Sequence, residues 1–210
     1  MDWTTFADYG TAIGTLVLAF ATFSATRSAN RSSRIAERQL AAGIRPLLVS
    51  SREQDPSQKI GFADRHYVRV EGGRGTAEVA DNAVYLTMSL RNVGAGLAVL
   101  HGWAYEPGIS TSADSARPDP ATFRRLTRDI YVPAGDIGFW QGALRDPSDE
   151  LFTSARKAIE NREGLTIHLL YGDIEGGQRV ISRFVLQPAG DDAWLATIGR
   201  HWNLDHPEPR

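Results

Sequence analysis

Five histidines are the side chains of this sequence best suited to acid–base or metal chemistry near neutral pH. They are His66, His101, His168, His201 and His206. A metal near the C-terminus would find the two imidazoles of His201 and His206 and one carboxylate between them. No other pair of histidines has the spacing with which a helix or hairpin brings two ligands to one metal. We therefore predict packed or surface histidines, with no metal site and no cofactor.

The sequence lacks two common nucleophile arrangements. It contains no cysteine, which excludes thiolate catalysis, disulfides and cysteine-based metal sites, and it contains no G-x-S-x-G serine motif. These features predict that the protein is not an enzyme. The alternative is a small-ligand or metal sensor, or an enzyme, in which His101 or His201 supplies the polar group and residues 107–120 form a lid over it.

Five arginines follow a helical spacing in residues 27–45, and they are Arg27, Arg31, Arg34, Arg38 and Arg45. Intervals of three, four and seven residues place them on one side of a helix. A basic strip beside a bilayer would attract anionic lipid, so these are candidate headgroup-binding residues; an ordinary solvated face is the other interpretation. Nucleic-acid binding is not expected. Residues 46–210 carry about −4, because the total of −2 includes −2 from residues 1–26 and +4 from residues 27–45.

An uncharged segment, residues 9–26, precedes these arginines. Eighteen helical residues at ~1.5 Å each span about 27 Å, close to the roughly 30 Å thickness of a hydrocarbon core. We predict one transmembrane helix, with a buried helix or a cleaved signal peptide as alternatives. Only Asp2 and Asp8 carry charge before the segment, so the positive-inside rule predicts an outer N-terminus. The protein would then be a single-pass protein of the inner (plasma) membrane, with residues 27–210 in the cytoplasm.

Small residues recur on one side of this predicted helix, at Gly10, Gly14, Ala21 and Ala25. Such a face lets a second helix approach closely. We predict that it packs against another membrane protein, or against a second copy in a homo-oligomer.

The remaining residues, 46–210, suffice for one domain and have the pattern of a β protein. Residues 85–91 alternate strictly, which places Leu86, Met88 and Leu90 on a buried face. Short strands separated by Gly- and Pro-containing turns predict an antiparallel sandwich. The other predicted strands cover residues 46–51, 66–71, 97–105, 129–132, 137–142, 165–171, 178–186 and 194–202, and a helix is predicted over residues 147–161.

Residues 90–98 read Leu-Arg-Asn-Val-Gly-Ala-Gly-Leu-Ala, and a Pro-x-Gly turn follows at Pro133-Ala134-Gly135. This pattern resembles the L-x-N-x-G-x-G-x-A hairpin of uncharacterised, membrane-anchored bacterial proteins with immunoglobulin-like domains, particularly actinobacterial ones. Their usual proline after the second glycine is Leu97 here. The resemblance implies an immunoglobulin-like sandwich behind an N-terminal anchor, and it supplies no catalytic residues.

The predicted organisation has three parts. Residues 1–26 form an outer tail and transmembrane helix, residues 27–45 a basic juxtamembrane helix, and residues 46–210 a cytoplasmic, mainly β, immunoglobulin-like sandwich with one inserted helix. The predicted function is a membrane-tethered, non-enzymatic interaction module that presents the sandwich to partner proteins, possibly within a larger membrane complex. An anionic-lipid-responsive regulator is a further alternative.

Overall fold

The computed structural model describes residues 3–110, 116–190 and 193–205, without the side chains of residues 3–13, 38, 41 and 42. The chain forms two compact units, Met1–Gly43 and Ile44–Arg210. The first unit is a helix and the second is mainly β.

Helix α1 covers Trp3–Gly43 as one uninterrupted α-helix of 41 residues. Hydroxyl groups do not interrupt it, because Thr22 and Thr26 each donate to the carbonyl four residues earlier, at 2.8 Å. The helix ends at Gly43, as expected of a glycine followed by a nearby proline. The helical prediction for residues 27–45 is therefore confirmed up to Gly43.

The predicted membrane location is wrong. Within the part of the chain that the structure describes, no helix is long and apolar enough to cross a membrane. Four of the thirteen residues from Gly14 to Thr26 carry hydroxyl groups, which lowers the hydropathy of this part of α1. The transmembrane helix, its orientation and the inner-membrane location inferred from residues 9–26 are all withdrawn.

The second unit confirms the prediction of a mainly β domain with one helix, α2, at Glu150–Glu160. A short 3₁₀ helix lies at Pro120–Thr122. The described strands are β1 Leu48–Ser50, β2 Gln58–Gly61, β3 Tyr67–Val70, β4 Arg74–Ala80, β5 Ala83–Asn92, β6 Ala98–Pro107, β7 Arg124–Val132, β8 Ile137–Leu144, β9 Leu165–Gly172, β10 Val180–Ala189 and β11 Ala193–Asn203.

Nine of these strands form one curled antiparallel sheet, and β2 and β3 form a separate hairpin. The order in the sheet is β1-β5-β4-β11-β10-β9-β6-β7, and β8 pairs with β5. Strands β7 and β8 follow each other in sequence, yet each pairs with a different strand, β6 and β5 respectively. The facing edges of β7 and β8 therefore lack a shared ladder.

One continuous core fills the curl of the sheet, and Trp140, Trp194 and Phe184 are among its fully buried members. Helix α2 covers part of this core with Phe152 and Ala155. The helix starts where Asp149 caps it, since the carboxylate accepts the N–H of Leu151 at 2.9 Å.

The buried side chain of Asn92 joins three segments at the end of β5. Its Oδ1 accepts the N–H groups of Leu47 and Gly94 at 3.1 and 3.0 Å. Its Nδ2 donates to the carbonyls of Gly96 and Val132 at 2.7 and 3.0 Å. All four hydrogen-bonding positions of the carboxamide are used, which explains why this motif contains an asparagine.

The two glycines of the same motif allow the incoming chain to lie directly against it. A Cβ on Gly94 would lie 2.3 Å from the carbonyl oxygen of Arg45, and one on Gly96 would lie 1.7 Å from that of Ile44. Both contacts are with backbone, which cannot move aside cheaply. The motif thus fixes residues 44–47 against the β5–β6 junction.

A bulge interrupts β6 at His101. Leu100 pairs with Tyr171 of β9 and Gly102 pairs with Leu170, so His101 is an additional residue. On the other side, four residues of β7, 126–129, lie between the partners of Leu100 and Gly102. The ladder is therefore broken on both sides of β6, and residues 126–129 leave it.

Candidate functional site

The predicted helix-packing residues lie on one exposed side of α1. Gly14, Ala21 and Ala25 are all exposed, and no atom of the chain lies within 4 Å of a Cβ built on Gly14. At 100° per residue these three positions fall within about 40° of one another. The side chain of Gly10 lies outside the described residues.

Large apolar side chains are exposed on the same helix. Leu16, Val17, Leu18, Phe20 and Phe23 are between 62% and 75% exposed. By the same helical periodicity, Leu16, Phe20 and Phe23 lie on the side opposite the small residues. Leu18, by contrast, falls beside the small residues, so only the side with Leu16, Phe20 and Phe23 is made of large apolar groups.

The five candidate headgroup-binding arginines do not all lie on α1. Arg27, Arg31 and Arg34 are exposed on α1, where a contact with lipid headgroups stays a prediction. The side chain of Arg38 lies outside the described residues.

Arg45 lies beyond the helix that carries the other arginines, because α1 ends at Gly43. Its guanidinium donates to Gln178 Oε1 at 2.9 Å and to Asn203 Oδ1 at 3.3 Å. Arg45 therefore ties the start of the β unit to β11 and to the segment before β10. Its assignment as a headgroup residue stays a prediction.

Three of the histidines contact polar partners inside the β unit. His168 is buried, and its Nε2 accepts a hydrogen bond from Arg183 at 3.1 Å. Burial and then the charge of Arg183 lower the pKa of His168 to about 4, so this ring is neutral at pH 7. The Nδ1 of His201 lies 2.6 Å from Ser182 Oγ. His66 pairs with Glu78.

Only one of the other two histidines, His101, lies in the described part of the chain. His101 is exposed at the β6 bulge, and its ring lies over Gly172. His206 lies outside the described residues, as do residues 111–115 of the predicted lid. Among the described side chains, no three His, Asp or Glu residues are grouped as a metal would need.

A pocket of about 130 Å³, which the sequence does not predict, opens between β7 and β8. Residues 124–127 line one side of it, and residues 141–143 with Arg145 line the other. Trp103 of β6 and residues 62–63 of the β2–β3 turn complete the wall. The pocket lies where the unpaired edges of β7 and β8 face each other.

Gly142 allows aromatic rings to form part of the pocket wall. A Cβ at this position would lie 3.0 Å from two atoms of the Trp103 ring and 2.7 Å from the Trp140 ring. The two indole rings meet edge to face, with centroids 5.3 Å apart. A buried indole ring, that of Trp103, therefore lies among the polar groups that line the pocket.

Three arginines line the pocket, and two of them are neutralised by carboxylates. Arg124 pairs with Asp149, and Arg145 donates to Asp64 at 2.9 Å. The backbone N–H of Leu151 and then Arg124 lower the pKa of Asp149, so this carboxylate is charged at neutral pH. Arg125 forms no hydrogen bond or ion pair with any residue that the structure describes.

Gln141 offers a second free donor to the pocket. It is 6% exposed, and its Oε1 accepts from Arg128 at 2.8 Å, which fixes the orientation of the amide. Its Nε2 donates to no group in the described part of the chain, and this nitrogen is not among the fully buried unpaired atoms. The amide N–H group therefore points into accessible space.

A polar network supports the Asp64 side of the pocket. Burial raises the pKa of Asp64, but hydrogen bonds from Tyr85, Arg145 and the N–H of His66 outweigh it and bring the pKa down to about 2. Burial and the bond to Asp64 raise the pKa of Tyr85 to about 12. The His66 ring stacks on Tyr85 at 4.1 Å. Asp64 and Arg145 are therefore held charged in fixed positions.

Comparison with known proteins identifies no relative: no family, no curated protein and no solved structure matches this chain. The resemblance to membrane-anchored immunoglobulin-like proteins thus stays a prediction from the hairpin motif.

Proposed function

We propose that this protein is a non-enzymatic interaction module that associates through α1. The observation that carries the proposal is the exposure of Leu16, Val17, Leu18, Phe20 and Phe23, each at least 62% exposed within one short stretch of helix. Contiguous apolar surface of this kind marks interaction sites, because covering it gains about 25 cal/mol for each Å² removed from water.

A second copy of the chain is the partner that the helix fits best. Leu16 and Phe20 lie on one side of α1, and Gly14, Ala21 and Ala25 lie on the other. Large side chains of one copy can pack over the small residues of the next, which lets the two backbones approach. The two faces are complementary, so each copy can supply both halves of the contact.

The molar mass of the full chain in solution tests this proposal. Light scattering should give a multiple of 23.0 kDa. The double variant Phe20→Ser/Phe23→Ser should lower it by removing the apolar face. Gly14→Leu should also lower it, although the added side chain meets nothing in its own chain. Ile174→Ser is the control, since Ile174 is equally exposed but belongs to the β unit. A monomeric unaltered chain would contradict the proposal.

We further propose that the β unit is an immunoglobulin-like sandwich that presents its loops to partner proteins. The support is the resemblance of residues 90–98 to that family's hairpin, together with the curled antiparallel arrangement of nine strands. An experimental structure tests the sandwich directly. Two layers that pack at about −30° would support it, and a different layer geometry would overturn it.

A further inference from the structure

The pocket between β7 and β8 has the features of a ligand site that is separate from α1. It is enclosed by strands and by a turn of the β unit, its rim is basic, and part of its wall is aromatic. Two of its donors, the guanidinium of Arg125 and the Nε2 of Gln141, have no partner among the described residues. Gln141 is only 6% exposed, so its unused donor favours an acceptor ligand, and the exposed Arg125 supplies a charged donor to the same pocket.

The charge of the pocket indicates the charge of that ligand. The lining arginines contribute three positive charges, and their partners Asp149 and Asp64 contribute two negative ones. The lining therefore has an excess of one positive charge, that of Arg125, and Arg128 beside it donates to Gln141 without a carboxylate partner in the described part of the chain. Because the excess is positive, the site attracts an anion.

The shape of the donors and the size of the pocket indicate which class of anion the pocket can bind. Guanidinium and amide groups are planar donors, and a carboxylate is the planar acceptor that matches them. Trp103, Phe62 and Leu126 provide apolar surface for the rest of the ligand. A cavity of roughly 150 Å³ can hold benzene, so about 130 Å³ with an open mouth admits a small organic acid.

We propose that this pocket binds a small monocarboxylate, with Arg125 and Gln141 holding the carboxylate and Trp103 contacting its apolar part. The carboxylate can belong to a free organic acid or to the C-terminus of a peptide, because both present the same group. Asp149 and Asp64 act as positioning residues that hold Arg124 and Arg145 at the rim.

Titration of the full chain with sodium benzoate tests the proposal. The readout is the side-chain amide signal of Gln141 in a ¹H–¹⁵N spectrum, identified by its loss in Gln141→Leu. Benzoate should move this signal to saturation in the millimolar range or below, and benzamide, the neutral isostere, should not. Sodium phosphate should bind at least about tenfold more weakly than benzoate, because it is tetrahedral and has no apolar part to contact Trp103.

Matched variants separate a specific site from general attraction to a basic surface. Arg125→Gln should raise the dissociation constant for benzoate at least about tenfold, because the guanidinium that holds the carboxylate is lost. Arg69→Gln changes the net charge equally, lies outside the pocket wall and should change the constant less than about twofold. Arg125 is exposed, so both variants should fold, and their thermal melting curves check this.

A short peptide with a free C-terminus, compared with its amidated form, distinguishes the two sources of the carboxylate. Tighter binding of the free-terminus peptide than of benzoate would assign the site to peptide ends, and the reverse to free acids. The proposal is overturned if benzoate produces no saturable change, if benzamide or phosphate binds as well as benzoate, or if Arg125→Gln has no effect.

Discussion

A single side chain, that of Asn92, holds several segments of the β unit together. Its carboxamide connects the entering segment, its own loop and β7 with four hydrogen bonds. An alanine would leave two backbone N–H groups and two carbonyls without their partner in a buried place.

We expect Asn92→Ala to lower the free energy of unfolding by about 2–4 kcal/mol, because several buried polar groups lose partners together. Urea denaturation followed by circular dichroism measures the change. Asn161→Ala is the control, since Asn161 is exposed, and its cost should stay below about 1 kcal/mol. Equal costs for the two variants would contradict the role of Asn92.

We also expect Gly96→Ala to destabilise the β unit severely, because the new Cβ would overlap the carbonyl oxygen of Ile44. Relief would require the backbone of residues 44–47 to move from the β5–β6 junction. Gly177→Ala is the matched control, since its Cβ would meet a single atom at an ordinary 3.9 Å. The difference in urea midpoint between the two variants is the measurement, and a Gly96→Ala protein as stable as Gly177→Ala would refute the close approach.

The pKa of Asp64 predicts a dependence of stability on acid. Its folded pKa of about 2 lies below the ordinary value of 3.8, so ionised Asp64 favours the folded state. This contribution is present above about pH 4 and is lost as the pH falls towards 2. In urea titrations, the stability difference between the unaltered chain and Asp64→Asn should therefore shrink over that range. A difference that is independent of pH would contradict the assignment.

At the scale of elements, α2 depends on a cap that also holds one side of the pocket. Asp149 accepts the N–H of Leu151 and pairs with Arg124. We expect Asp149→Ala to cost about 1 kcal/mol, and Asp149→Asn to cost less, because asparagine is an equally good cap. Urea denaturation compares the two variants. Equal losses would mean that the ion pair, and not the cap, supports this end of α2.

Much of the element order could be predicted from local pattern alone. The alternation around Leu86 and Met88 predicted β5, and the acidic start followed by apolar spacing predicted α2. Strands β2 and β4 were missed. The first is only four residues long, and the second begins with Arg74-Gly75 and contains small residues, so neither presents a clear apolar alternation.

The candidate pocket could not be predicted, because it depends on which strands pair. Arg125 and Gln141 are separated by a turn that looks like an ordinary hairpin, and the sequence does not show that β7 and β8 pair elsewhere. Asp64 and Arg145 are 81 residues apart. The bulge at His101 likewise has no local signal, since the residues around it fit a regular strand.

The error about location has a different origin. An uncharged segment followed by arginines has the charge pattern of a membrane anchor, but the absence of charge does not make a segment apolar enough to cross a membrane. The four hydroxyl residues between Gly14 and Thr26 dilute the segment. Two of them, Thr22 and Thr26, donate to carbonyls of the preceding turn, so they do not interrupt the helix.

At the scale of the whole molecule, the two compact units predict separable behaviour. A chain that begins at Ile44 retains residues 44–47 and the complete sheet. We expect it to fold with a melting temperature close to that of the full chain and to run as a monomer, because association is assigned to α1. Calorimetry and light scattering measure the two properties. An associated truncated chain would place the contact in the β unit instead.

The exposed border of β7 has a consequence for behaviour at high concentration. A terminal strand with a bare edge is a template onto which sheets of other molecules can polymerise. Here Arg125 and Arg128 lie on that border without carboxylate partners in the described part of the chain, and the four residues 126–129 depart from regular geometry. Like charges repel an incoming copy, and the irregular backbone offers it no straight register. The protein should thus resist fibre formation at this strand, and lose that resistance if those two arginines were replaced by valine.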